Sequence, residues 1–164
     1  MSSSSSTRSA FAKEYLKATM ILFFGIVTGV FVFMLVAIFI NQSNGPLVAG
    51  LNRYETIIMC GSGTFSLACL VIGRRVLWSG IKAAKNSLNP LQDKLTQYRS
   101  SLIRYLVICE VPALFSIGLF LLTGNFVLLV PAAVFLGFML AVAPIRRRVA
   151  AALELNGSEQ SELD

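Results

Sequence analysis

The sequence predicts an all-α protein, a four-helix transmembrane bundle with both ends cytoplasmic and a cytoplasmic helical hairpin extending helices two and three. Three observations carry this expectation. Four apolar runs, 16–40, 56–73, 102–122 and 126–143, each approach or exceed the roughly 20 residues that cross a bilayer. Charged residues make up only 13% of the chain, about half of what a soluble domain carries. Basic residues crowd alternate connections. Arg8, Lys13 and Lys17 precede or open the first run, a cluster from Arg74 to Arg104 lies around the second connection, and Arg146, Arg147 and Arg148 follow the fourth run. Positive loops stay inside, so both termini and the central loop are expected in the cytoplasm. The expected location is a cell membrane, a bacterial inner membrane crossed several times.

Composition also removes function classes. The chain has no histidine, hence no common general base, transition-metal ligand or Ser–His pair. Cys60, Cys69 and Cys109 all fall inside apolar runs with no metal-ligand spacing, and read as small apolar fillers. No nucleotide loop, hydrolase elbow or zinc motif occurs. Neither an enzyme nor a cofactor is expected. The net charge of +6 follows the membrane flanks, which argues against nucleic acid and for membrane lipid as the partner.

In chain order, residues 1–13 form a serine-rich stretch expected to be a disordered cytoplasmic segment. Residues 14–148 form one transmembrane domain, and 149–164 a polar, acidic tail. Helix one is too long to be a cleaved signal. Its Gly25 and Gly29 stand one turn apart, a spacing that lets another backbone approach closely. Helix two carries Gly61 and Gly63, and its Ser62, Ser66, Cys69 and Gly73 share one face, which predicts a tight helix–helix seam. Thr123-Gly124-Asn125 is short enough to make helices three and four antiparallel neighbours. Pro131, near the start of helix four, should bend it only mildly.

The stretch 74–101 reads as two helices with apolar heptad spacing, Leu77, Ile81, Ala84 and Leu88, then Leu91, Leu95, Tyr98 and Leu102. Asn89, Pro90 and Gln92 supply an N-cap, a first helical residue and a capping-box partner, predicting a sharp turn. At 1.5 Å per residue each helix would run roughly 50 Å, past the bilayer. Another reading lays the segment on the anionic inner leaflet, with Trp78 as interfacial anchor. Under either, Arg74, Arg75, Trp78, Lys82, Lys85 and Lys94 are the candidate contacts with a partner or lipid.

Of the eight acids only Glu110 lies within an apolar run. An ionised carboxylate near mid-bilayer costs at least about 3 kcal/mol, so protonation is the usual resolution. Pro112 has no N–H and frees the carbonyl of Ile108 to accept from that carboxyl. Arg104 is six residues away, not a same-face spacing, and lies near enough to the helix end to reach water. The remaining candidates to partner Glu110 are the hydroxyls of Thr28, Ser62, Ser66 and Ser116, a carbonyl, water or another protomer. Two roles stay open: a site exchanging a proton or small cation, and a permanently protonated acid bridging helices.

From Gly61 to Leu122 the chain resembles the rotor-ring proteolipid subunits of rotary ATPases. The resemblance rests on Gly61-Ser62-Gly63, then Asn89-Pro90, then Glu110 followed by Val111-Pro112-Ala113-Leu114-Phe115. The stretch from Glu110 to Phe115 is also similar to that of uncharacterised small bacterial membrane proteins grouped with them. The resemblance implies a proton- or cation-handling subunit with Glu110 as exchangeable carboxyl, assembled as a homo-oligomer or within a membrane complex. The rival reading is a non-catalytic scaffold or accessory subunit whose basic hairpin binds a partner or anionic lipid.

Overall fold

The computed structural model describes residues 3–48, 50–85, 91–145 and 149. Among these the chain is helical, without strands: α1 (Ser3–Asn44), α2 (Glu55–Lys85), α3 (Leu91–Thr123) and α4 (Leu129–Ala141), with single 3-10 turns at Leu51–Tyr54 and Phe126–Leu128. Three stretches, Lys17–Asn44, Glu55–Ala83 and Thr96–Thr123, are long and apolar enough to cross a membrane. The apolar helix Phe126–Ala141 is shorter. Its opening 3-10 turn and its end at Ala141 leave it about 25 Å long, where the apolar run from 126 to 143 suggested a full span. α1 also begins at Ser3, so helix takes in most of the serine-rich stretch expected to be disordered. The Asn89-Pro90 turn, Arg146–Arg148 and the tail from 150 lie outside the described residues.

α3 is the hub. It packs on α2, α1 and α4, whereas α1 and α2 hardly meet among the described residues. One face of α3 carries Leu102, Tyr105, Leu106, Cys109, Ala113, Ile117 and Phe120, each 2% exposed or less. Phe23, Val30 and Ala37 of α1, and Ala132, Phe135 and Met139 of α4, complete the core. The outer surface is as apolar as the core: Phe39, Ile57 and Leu67 are 71%, 70% and 65% exposed. Water would oppose that distribution and hydrocarbon would not, so the fold is that of a membrane-embedded helical bundle.

Contacts fix the register. Arg99 stacks over the Tyr15 ring at one end of α1 and α3 (5.0 Å to the centroid). At the other end Asn41 Nδ2 donates to the Phe120 carbonyl (3.1 Å), so these helices run parallel. α2 is antiparallel to α3, with Ser62 beside Ser116, Phe65 against Phe115 and Gly80 against Ser101. Leu77, Tyr98 and Leu102 are buried and Ile81 half-buried, so the heptad positions that can be seen do form a seam.

Among the described residues close approach between helices falls on Gly73, which belongs to the expected α2 seam, and on Gly80, which no spacing singled out. A Cβ placed on Gly25, Gly29, Gly61 or Gly63 would meet nothing within 4 Å. Among the described residues these four make no close contact; on α1 the packing on α3 is made by larger side chains such as Phe23, Val27 and Val30. The glycines at the α2–α3 contact are Gly73, where a Cβ would lie 3.3 Å from Ile108 Cγ2, and Gly80, where it would overlap Ser101 Cβ and Oγ.

Candidate functional site

The candidate residues form three separate groups. On the α2–α3 seam, Ser62 and Ser116 Oγ atoms lie 3.3 Å apart and buried. Ser66, a turn further along α2, is buried with its hydroxyl unpartnered among the described residues. The antiparallel register sets Ser66 level with Pro112, which is buried inside α3. Beside the serine pair a groove of about 390 Å³ opens to the outside, lined by Ile58, Gly61, Ser62, Phe65, Phe115 and Leu119. Two hydroxyls in an apolar wall satisfy each other, the arrangement by which polar side chains hold membrane helices together.

Glu110 stands apart from that pair. It is half-buried, and among the described residues no hydrogen bond or ion pair reaches it. Six residues separate it from Ser116, and at 3.6 residues per turn this rotates the two about 120° apart around α3. Thr28 is level with Glu110, judged from the Tyr15–Arg99 and Asn41–Phe120 contacts. It is nevertheless on the exposed face of α1, together with Gly25 and Gly29. The five oxygen-bearing candidates therefore do not converge on one point within a single chain. Among the described residues no group of three or more His, Cys, Asp or Glu side chains is placed to hold a metal ion.

The third group is basic. Arg74, Arg75 and Lys82 on α2 are exposed, and Trp78 is 68% exposed. At 100° per residue these four occupy one outward arc of about 100°, continuing the apolar stripe of Leu67 and Val71. The side chains of Lys85 and Lys94 lie outside the described residues.

The polar centre that the sequence did not single out is at the opposite end of the bundle, around Asn125. Its Nδ2 donates to Glu55 Oε1 and lies 3.8 Å from Met59 Sδ. Its Oδ1 accepts from the Val127 N–H (2.8 Å) and its own N–H donates to Thr123 Oγ1 (3.3 Å). One amide thus joins the start of α2 to the α3–α4 turn and caps the 3-10 turn that follows. The usable signal was local: asparagine directly after a helix-ending glycine, Gly124, whose φ is +74°, is a capping position.

The α1–α2 connection completes this end. The last carbonyls of a helix have no partners of their own. Here the N–H of Leu47 donates to the Leu121 carbonyl (3.1 Å), that of Val48 to Leu122 (3.2 Å), and that of Gly124 to Phe120 (2.8 Å). No protein-family model matches the sequence, and no curated protein or solved structure is detectably similar to it.

Proposed function

We propose that the chain is a non-catalytic membrane scaffold or accessory subunit whose basic α2 face holds anionic lipid head groups at the cytoplasmic surface. The carrying observation is the exposed arc of Arg74, Arg75, Trp78 and Lys82. Guanidinium groups pair with phosphate, ammonium adds charge, and an exposed indole settles at the head-group level. The positive-inside bias orients that arc to the cytoplasm in this reading, with the α2–α3 pair reaching past the bilayer as a hairpin. Each basic residue near an anionic surface contributes about 1 kcal/mol. Replacing Arg74, Arg75 and Lys82 by glutamine together is therefore expected to weaken phosphatidylglycerol binding by about 3 kcal/mol, roughly a hundredfold. Native mass spectrometry of the detergent-solubilised chain, titrated with phosphatidylglycerol and with phosphatidylcholine, measures this. Unchanged phosphatidylglycerol binding in the triple variant overturns the reading.

A second reading keeps Glu110 as a carboxyl exchanging a proton or small cation. It is favoured by one observation, a half-buried acid at membrane depth with no partner among the described residues. The expected result is that carbodiimide modifies the chain at Glu110, less so with sodium present or at higher pH, and that Glu110→Gln removes the labelling while the protein stays folded. A Glu110 inert at every pH and salt concentration leaves the acid a structural role.

A further inference from the structure

The Thr123 end of the bundle looks unlike a water-facing loop. A loop in water presents polar side chains and lets solvent satisfy its backbone. Here the N–H groups of Leu47 and Val48 are bonded to the Leu121 and Leu122 carbonyls of α3. Those bonds hold the connection at the depth of the last turn of α3, a helix long and apolar enough to span, instead of beyond it. Pro46 lies against Gly124, where a Cβ would be 3.3 Å from its own. Between flanks whose polar side chains Gln42, Ser43, Asn44 and Arg53 are exposed, the outward side chains are apolar: Leu47 is 59% exposed, Val48 42%, Phe126 56% and Val127 50%. Two polar side chains beside the patch are turned inward, since Asn125 holds Glu55 and Asn41 holds the Phe120 carbonyl. Exposed apolar side chains over a backbone whose donors are internally satisfied are what a membrane interface tolerates and water does not.

We infer that this connection and the start of the α3–α4 turn form a lipid-inserted surface. Leu47, Val48, Phe126 and Val127 enter the boundary between head groups and acyl chains of the leaflet at that end. The occupant is lipid because the helices that the connection joins, α1 and α2, carry apolar outer faces near it, where Phe39 and Ile57 are 71% and 70% exposed. The inference is independent of the basic arc on α2, which lies at the other end of the bundle.

Trp78 is the only tryptophan, so a single reporter can be moved. The full chain carrying Trp78→Phe and Leu47→Trp is reconstituted in phosphatidylcholine vesicles with iodide on both sides. Parallel samples contain lipids brominated near the head-group end or near the tip of the acyl chain. Expected are a blue-shifted emission, strong quenching by the shallow bromines, weaker quenching by the deep ones and little by iodide. Red-shifted emission quenched by iodide places the loop in water and overturns the inference. Resistance to all three quenchers means that protein, such as a second copy, covers the loop, and overturns it equally. The pair Trp78→Phe and Val127→Trp repeats the measurement on the other segment if the first variant fails to fold.

Discussion

Replacing Gly80 by alanine is expected to destabilise the bundle by about 1–3 kcal/mol, the range for forcing a methyl group into a filled space. The sign is what makes the result informative. In an unobstructed helix the same change stabilises by about 0.5–1 kcal/mol, because glycine loses more backbone freedom on folding. At Gly80 the new Cβ falls on Ser101 Cβ and Oγ, with the Ser101 Cα only 3.7 Å away. The obstruction is therefore a helix rather than the tip of a flexible chain, and α2 and α3 must separate. Gly61→Ala is the matched control: nothing lies within 4 Å of its Cβ, and it should be neutral or mildly stabilising. Ser101→Gly should rescue Gly80→Ala by removing the opposing Cβ. Thermal unfolding in detergent micelles of the three variants and the rescued pair measures the coupling. A Gly80→Ala protein as stable as Gly61→Ala would mean that the helices do not meet there.

Asn125→Ala is expected to cost about 2–3 kcal/mol, the range for a hydrogen bond to a charged group whose loss strands a partner. Alanine deletes the donor to Glu55 and the acceptor for the Val127 N–H, so a carboxylate and an amide lose their partners in one step. Asn125→Asp separates the two effects. It keeps an acceptor for Val127, yet places a second carboxylate against Glu55, and at neutral pH it should be at least as damaging as alanine. Adding Glu55→Gln to Asn125→Asp should recover most of the loss by restoring an amide–carboxylate pair with the roles exchanged. Equal stability of wild type and Asn125→Ala would show that the polar centre does not tie α2 to the α3–α4 turn.

What was legible in the sequence follows from how local each signal is. Hydrocarbon-length apolar runs report helices directly, and the α2 face of Ser62, Ser66 and Gly73 reports burial because its period is that of a helix. The true length of α4 was hidden, since Phe126, Val127 and Leu128 are as apolar in a 3-10 turn as in an α-helix. Gly25 and Gly29 have the spacing of a packing motif, but spacing cannot say whether that side of α1 faces another helix. Gly80 lacks any such pattern, so its contact with Ser101 emerges only in three dimensions. The six-residue argument that parts Arg104 from Glu110 also parts Glu110 from Ser116. Helical geometry alone was enough to doubt a site combining them. Finding the centre at Asn125 required knowing that the start of α2 comes beside the α3–α4 turn.

The hub position of α3 has a consequence for how the chain is made. Synthesis delivers α1 first and α2 second, and among the described residues these two scarcely touch. Until α3 arrives, each must wait in the bilayer with its future packing face against lipid. That face includes the hydroxyls of Ser62 and Ser66 on α2. Nascent chains stopped before residue 91 should therefore hold α1 and α2 as independent helices, open to chaperones or to helices of other chains. Assembly becomes possible only once the third helix has entered the membrane.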